Sequence, residues 1–223
     1  MLRGLGGSAR RKVLSRSVGW RSLKRAVADG EVVRCGTGYA LARTGVPRQR
    51  ATQLRGVRSH ATAAEHWNLA LPPAKDRRVQ ITIPRKAQRA DVPRDVRLRY
   101  RDLDVHEVDG DVTTPLRTVL DCLIDETLRV ALSVGDSALR QGLVSFDELV
   151  EAVEARRGPG SVRAGARLAM LDARAENAFE SSCRAILLES GITGFEPQVG
   201  IRRRRQWVGR VDLAHRHLRI VIE

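Results

Sequence analysis

Apolar residues recur along this chain in short runs whose period changes from helical to strand-like, with polar or glycine-rich stretches between them. Near the N-terminus, Trp20, Leu23 and Val27 are spaced three and four residues apart, which predicts the buried stripe of one helix. Gly30 is expected to end that helix, since glycine readily adopts the left-handed conformation found after helix C-termini. The pattern predicts an amphipathic helix in this basic region.

The elements around this helix predict a small DNA-binding domain. Before it, SARRKVLS is expected to form a short helix capped by Ser8, followed by a turn at 16–18. After it, EVVRCGTGYALA is expected to form two strands around Gly36 and Gly38. Helix, turn, basic helix and hairpin is the order of a winged helix-turn-helix, although a structural three-helix subdomain with a basic face would give a similar pattern.

The middle of the chain mixes both periods. RRVQITIP and RDVRLRYR predict strands, and helices are expected over TTPLRTVLDCLI, TLRVALSVGDSALRQG and SFDELVEAVEARR. The helix-borne Asp121 and Asp136 are interpreted as solvated or paired acids. RRGPGS at 156–161 is the clearest linker. We therefore predict an α+β chain with a winged helix-turn-helix at 1–45, a mixed α/β middle domain at 46–157 and an α/β C-terminal domain at 161–223.

The C-terminal region predicts a helix followed by strands. Its last helix carries Glu180 near its start, and an apolar face is expected for this helix, comprising Phe179, Cys183, Ile186 and Leu187. FEPQVGI, WVGRVDLA and LRIVIE then have the composition of strands, with a polar turn at His215–His217. If the last two pair as a hairpin, Asp212 and Glu223 lie on neighbouring strands. Two close carboxylates repel each other unless a proton or a cation intervenes.

Composition limits the class of protein. The 223 residues are 42% hydrophobic and 30% charged, as in a globular chain, and no apolar run has the length of a membrane helix. Cys35, Cys122 and Cys183 are too scattered for a disulfide framework or a zinc site, so we expect a reducing cytoplasm. His60 and His66 are six residues apart, and we interpret them as a capping and a packed side chain because metal pairs on helices prefer a spacing of four.

Positive charge is concentrated at the N-terminus. Residues 1–60 contain 14 Lys and Arg against two acids, a net charge of +12, whereas the whole chain carries +14. Such a distribution favours a polyanionic partner, because basic side chains that neutralise phosphates release counterions. A basic, partly disordered tail is the alternative. We expect double-stranded DNA to be bound by four cations: Arg21, Lys24, Arg25 and Arg34.

Two stretches of the N-terminal half resemble a known family. LKRAVADGEVVRCGTGYAL, followed by RSHATAAEHWNLALP, is similar to the N-terminal part of AbiEi-type antitoxins, although only MLRGLG precedes the first helix here. The resemblance implies a DNA-binding transcriptional regulator of the type IV toxin–antitoxin kind. A cognate toxin, restrained by the middle domain, is a further partner of that interpretation.

The C-terminal region resembles a second family. FESSCRAILLESGITGFEPQVGI, followed by VGRVDLAHRHLRIVIE, is similar to the start of the Vsr-like restriction-endonuclease domain of the PD-(D/E)XK group. The resemblance implies catalytic roles for Glu180, Asp212 and Glu223, with Asp212 and Glu223 as ligands of Mg²⁺, and a helper role for Gln198. An ion of this kind would activate water at a DNA phosphodiester.

The family pattern continues beyond the residue that matches Glu223, so we expect the domain to be cut there and the site to be inactive. The residues also admit a simpler interpretation, in which Glu180 is a surface residue and Asp212 pairs with Arg210 or Arg216. We therefore expect a DNA-binding regulator with an inactive nuclease-like tail. The alternative is a Mg²⁺-dependent endonuclease that its winged helix directs to DNA.

Overall fold

The computed structural model describes residues 2, 7–14, 18–75, 77–87, 91–204 and 206–223. Within these residues the chain is mixed α+β, with nine α-helices and three β-sheets. Residues 1–63 and 76–114 form one compact unit, and residues 64–75 and 115–223 form the other.

The helices and strands fall in the order that the sequence pattern broadly predicts. The described α-helices are α1 (Arg11–Leu14), α2 (Trp20–Ala28), α3 (Val46–Leu54), α4 (His60–His66), α5 (Pro115–Asp125), α6 (Leu128–Arg140), α7 (Phe146–Ala155), α8 (Ser161–Leu168) and α9 (Ala178–Glu189). The described strands are β1 (Ser8–Arg10), β2 (Val32–Cys35), β3 (Gly38–Leu41), β4 (Val57–Arg58), β5 (Val79–Ile83), β6 (Val96–Tyr100), β7 (Val108–Asp109), β8 (Val112–Thr113), β9 (Phe195–Arg203), β10 (Gln206–His215) and β11 (Ile220–Ile222).

The first sheet has the strand order β1-β3-β2 and is antiparallel throughout. The predicted β2–β3 hairpin is confirmed. The predicted helix cap at Ser8 is wrong, because Ser8 pairs with Ala40 in the sheet and the helix begins only at Arg11. Pairing with β3 satisfies backbone groups that a local helix would otherwise have to satisfy by itself. Of the predicted turn at 16–18, residues 16 and 17 lie outside the described residues.

The small core beneath this sheet corrects the predicted stripe of α2. Leu14, Leu23, Val32 and Tyr39 are buried together, and of the three predicted positions only Leu23 takes part. Trp20 is 47% exposed and Val27 is 37% exposed, so neither is buried as expected. Helix α2 contacts this core along a narrow line: Leu23 is buried in it, and Ala26, three residues later, packs against the core.

The second sheet has the order β6-β5-β4-β8-β7 and mixes parallel with antiparallel pairs. Helix α3 packs Ala51 and Leu54 against Ile81, Ile83 and Val96 of β5 and β6. The same helix also contacts β1, β2 and β3. Helix α3 therefore packs against both the first and the second sheet of the first unit.

The second unit is mainly helical. The predicted helices α5, α6 and α7 are confirmed, and their apolar faces meet in one core that includes Val119, Leu123, Val134 and Leu149. The predicted linker at 156–161 connects α7 with α8, and both helices pack on α5, so the unit continues across it. Residues 169–177, expected to be helical, form turns and bends between α8 and α9.

The third sheet has the order β11-β10-β9, and both of its pairs are antiparallel. The last two strands, β10 and β11, thus pair as the hairpin that the sequence analysis considered, and β9 pairs with β10 in a second hairpin. All three cysteines are free thiols, and burial raises the pKa of Cys35 and of Cys183. Among the described residues, no helix combines the length and apolar character needed to cross a membrane.

Candidate functional site

Helix α2 presents three cations to solvent. It begins after Gly19, whose backbone is extended, and its end is followed by Gly30 at a φ of +72°. Arg21, Lys24 and Arg25 are all exposed, and their spacing of three and four residues sets them on neighbouring turns. Of these cations, Arg25 lies 3.7 Å from Asp29 in an exposed ion pair, which contributes little to stability. The structure thus places three of the four predicted DNA-binding residues on one solvent-facing helix.

Trp20 contacts two cations instead of filling the core. The guanidinium of Arg11 lies 5.0 Å from the centroid of its ring, and the ammonium of Lys24 lies 5.7 Å from it. Cations over an indole face are attracted by its quadrupole, by about 0.5–1 kcal/mol at exposed sites. The ring of Trp20 therefore contacts one cation from α1 and one from α2.

The fourth predicted residue, Arg34, lies in the β2–β3 hairpin. Its side chain is exposed, and its Nε donates to the carbonyl of Gly36 at 3.3 Å. Gly36 has a φ of +57°, and a Cβ at this position would lie 3.0 Å from the carbonyl oxygen of Gln53. The hairpin turn therefore requires glycine both for its backbone conformation and for its close approach to α3.

The hairpin turn borders a basic pocket that the sequence did not predict. A cavity of about 500 Å³ is lined by Gly36, Thr37 and Tyr39 and by the side chains of five cations: Arg10, Arg11, Lys12, Arg34 and Arg55. The described lining contains no acid. Arg10, Arg11 and Lys12 belong to the run SARRK, which the sequence analysis predicted to be helical. In the structure, Arg10 lies on a strand that pairs with β3. Arg55 comes from the end of α3, and only the tertiary fold brings it here.

The second candidate region lies at the start of α9. The side chain of Asn177 caps this helix by accepting from the backbone N–H groups of Phe179 and Glu180 at 2.8 and 3.1 Å. Glu180 is only 5% exposed, which excludes the interpretation of Glu180 as a surface residue. Its Oε2 accepts from the backbone N–H of Glu176 at 2.9 Å, and its Oε1 accepts from the amide of Asn177. The carboxylate is thus oriented by its own helix cap.

Gln198 joins Glu180 to Asp212. Its amide nitrogen donates to Glu180 Oε2 at 2.9 Å and to Asp212 Oδ1 at 3.4 Å. The φ of Gln198 is +55°, a conformation that costs energy for a residue other than glycine. Its Oε1 is buried and has no hydrogen-bond partner among the described residues. The amide therefore lies between two carboxylates in a strained segment of β9.

Glu223, the third predicted acid, follows β11. Leu213 of β10 pairs with Ile222 of β11. In this antiparallel register, the next residues along are Asp212 on one strand and Glu223 on the other. In the described part of the chain, however, no three His, Cys, Asp or Glu side chains are grouped to hold a metal. The structure therefore brings together Glu180 and Asp212, through Gln198, without forming a three-acid site.

The arginines that the sequence offered as partners of Asp212 bind other acids. Arg210 lies 2.8 Å from Glu176, and Arg216 lies 3.1 Å from Glu196. Both ion pairs are largely exposed. Among the described residues, Asp212 instead accepts from the neutral amide of Gln198, which does not neutralise its charge.

The buried face of α9 combines the apolar Ala178 and Ala185 with polar side chains, contrary to the apolar face expected from the sequence. Phe179 is 70% exposed, whereas Ser181 and Arg184 are buried against Asp136 of α6. Asp136 accepts from Ser181 Oγ at 2.8 Å, from Arg184 Nη1 at 2.8 Å and from the backbone N–H of Asp172 at 2.7 Å. Burial raises the pKa of Asp136 to about 6, although Arg184 and the hydrogen bonds act in the opposite direction. This ionic network orients α9.

Two other interpretations of polar residues, those of Asp121 and His66, are confirmed. Asp121 is buried and pairs with Arg117 at 3.0 Å, as expected for a paired helix acid. His66 lies edge-on to Trp67 with a centroid distance of 4.9 Å, and the buried His60 begins α4 with its Nδ1 2.8 Å from Ser59 Oγ.

Comparison with known proteins adds no relative: no protein-family model matches this chain, and a search of curated proteins also found no match.

Proposed function

We propose that the protein binds double-stranded DNA through α2 and the β2–β3 hairpin, and that it acts as a transcriptional regulator of the antitoxin kind. A cognate toxin would be its second partner. The observation that carries the proposal is that α2 is attached along a narrow line at Leu23 while Arg21, Lys24 and Arg25 point into solvent. A helix held in this way can enter the major groove, which is about 12 Å wide.

The order of elements supports the same assignment. Strand β1, helices α1 and α2 and the β2–β3 hairpin follow one another, and the sheet order is β1-β3-β2. In a winged helix-turn-helix the second helix of the motif reads the groove. Here α2 would be the recognition helix, and Arg34 in the hairpin would contact the adjacent backbone.

The test of this proposal is the salt dependence of binding to a duplex of about 30 base pairs, measured by fluorescence anisotropy. We expect Arg21→Ala plus Lys24→Ala to weaken binding and to lower the slope of log K against log salt by about one to two. Arg129→Ala plus Arg157→Ala removes the same charge from exposed positions of the second unit and is the matched control. An unchanged slope in the α2 variant would count against the assignment.

A second candidate function, that of a Mg²⁺-dependent endonuclease, is favoured by the bridge that Gln198 makes between Glu180 and Asp212. The carboxylates of Glu180 and Asp212 supply hard oxygen donors on either side of the Gln198 amide nitrogen, which fits Mg²⁺ because this ion is held by one or two carboxylates and keeps several waters. Glu180 and Asp212 would hold the ion, and Gln198 would orient both acids. A bound ion of this kind lowers the pKa of its water and offsets charge at a phosphodiester.

Nicking of supercoiled plasmid tests this second candidate. If the protein is a nuclease, Mg²⁺-dependent nicking should appear with the purified chain and disappear in Asp212→Ala. Glu151→Ala, which removes an exposed acid of α7, is expected to leave nicking unchanged. Plasmid that stays intact with every protein would reject the nuclease while leaving the DNA-binding proposal in place.

A further inference from the structure

The basic pocket beside the hairpin is built from three separate parts of the first unit. Arg10 pairs in register with Gly38, and Arg34 pairs with Tyr39, so the two arginines come from the outer strands on either side of β3. Arg55, at a φ of +55°, reaches the hairpin from the end of α3. A cation cluster assembled from distant segments is a property of the fold and not of a local basic run.

Two of these cations are oriented by neutral acceptors. Arg34 Nε donates to the carbonyl of Gly36, and Arg55 Nε donates to Thr37 Oγ1 at 3.0 Å. Neither bond neutralises the guanidinium, and the remaining N–H groups of each fork can donate to a ligand. Guanidinium groups bind phosphate through paired hydrogen bonds, so several of them around one cavity favour a phosphate over a monovalent carboxylate.

The pocket is continuous with the surface of α2. Arg11, which lines the pocket, lies over the ring of Trp20, and Lys24 of α2 contacts the same ring. A duplex whose groove receives α2 would carry its sugar-phosphate backbone over this junction. The two basic regions therefore suit one extended polyanion.

We propose that the pocket binds a backbone phosphate of the duplex beside the base pairs that α2 reaches. This inference rests on the proposed function and adds to it a phosphate site at Arg10 and Arg55, residues outside α2 and the hairpin strands. Since a backbone phosphate is present in every sequence, the pocket contributes affinity and register but no base preference.

The double variant Arg10→Gln plus Arg55→Gln tests the site in the full chain. We expect weaker binding to all duplexes by a similar factor and a salt slope lower by about two. The advantage of the wild type over the variant should then shrink about tenfold between 50 and 200 mM salt. Arg10→Lys plus Arg55→Lys keeps the charge and loses the planar forks. Its affinity for DNA should therefore lie between those of the wild type and of the glutamine variant.

Several outcomes separate this inference from the function on which it rests. Arg129→Gln plus Arg157→Gln serves as the control, and a pocket variant that binds like this control would overturn the pocket while leaving DNA binding by α2 intact. A wild type without affinity for DNA would overturn both. Inorganic tripolyphosphate is the probe for a free ligand, and its binding is measured by calorimetry. If the pocket variant lost this binding but kept the DNA affinity of the wild type, the cavity would be assigned to a small phosphorylated molecule instead.

Discussion

The buried carboxylate of Asp136 gives the second unit a dependence on pH that can be worked out from its surroundings. Its ordinary pKa is 3.8, and burial raises it to about 6 in the folded protein. Between these values the folded state holds a proton that the unfolded chain has released. Stability from this group is therefore fully present below pH 4 and is lost as the pH rises through 6.

The magnitude follows from the shift in pKa. Each unit corresponds to about 1.4 kcal/mol, so the full shift is worth about 3 kcal/mol, and the ionisation of Asp136 removes about 2.4 kcal/mol from the free energy of unfolding between pH 4 and pH 7. Asp136→Asn carries no ionisable group at this position and keeps an oxygen acceptor for Arg184 and Ser181. The free energy of unfolding of the wild type minus that of Asp136→Asn should therefore fall by about this amount over the same range.

Urea unfolding at pH 4.5, 5.5, 6.5 and 7.5, followed by circular dichroism, measures this difference. Other titrating groups cancel because both proteins contain them. Glu151→Gln, at an exposed position of α7, should show a difference from the wild type that does not change with pH. A flat or rising difference for Asp136→Asn would refute the reasoning, because it would mean that the ion pair with Arg184 outweighs the loss of hydration.

The remaining predictions concern Asp111 of the first unit, which accepts paired hydrogen bonds from Arg48 and Arg58 at 2.8–3.1 Å. Asp111→Ala should lower the free energy of unfolding by about 3 kcal/mol, since the largely buried Arg58 would lose its carboxylate, whereas the exposed Asp109→Ala should change it little. Burial opposes ionisation of Asp111, but the hydrogen bonds from both arginines prevail and lower its pKa, so its contribution is present at neutral pH and is lost as the pH falls below about 4. Equal acid sensitivity in the wild type and Asp111→Ala would contradict this account.

The sequence predicted best where contacts are local. The hairpins β2–β3, β9–β10 and β10–β11 join neighbouring runs through short turns, and the alternation of apolar residues identifies such pairs without knowledge of the rest of the fold. Helices α5, α6 and α7 were equally clear, because their apolar residues repeat with helical spacing over about three turns. The exposed cations of α2 follow from the same local spacing.

Prediction failed where a distant partner decides which side of an element is buried. The spacing of Phe179 and Ile186 suggested an apolar face on α9, but Asp136 on α6 draws Ser181 and Arg184 inward. Trp20 was expected in the core, yet a small three-stranded sheet offers α2 room for little more than Leu23. In both helices, spacing alone left the choice of buried face open.

For the candidate sites, the sequence by itself determined the chemical groups and the elements that carry them: the cations of α2, Arg34 in the hairpin, and the acids Glu180 and Asp212. Tertiary structure alone brought Gln198 between those acids and collected Arg10, Arg34 and Arg55 around one cavity. The physical reason is that hydrogen bonds and charges act over a few ångströms in space. Residues far apart in the chain come within that range only when strands pair and helices pack.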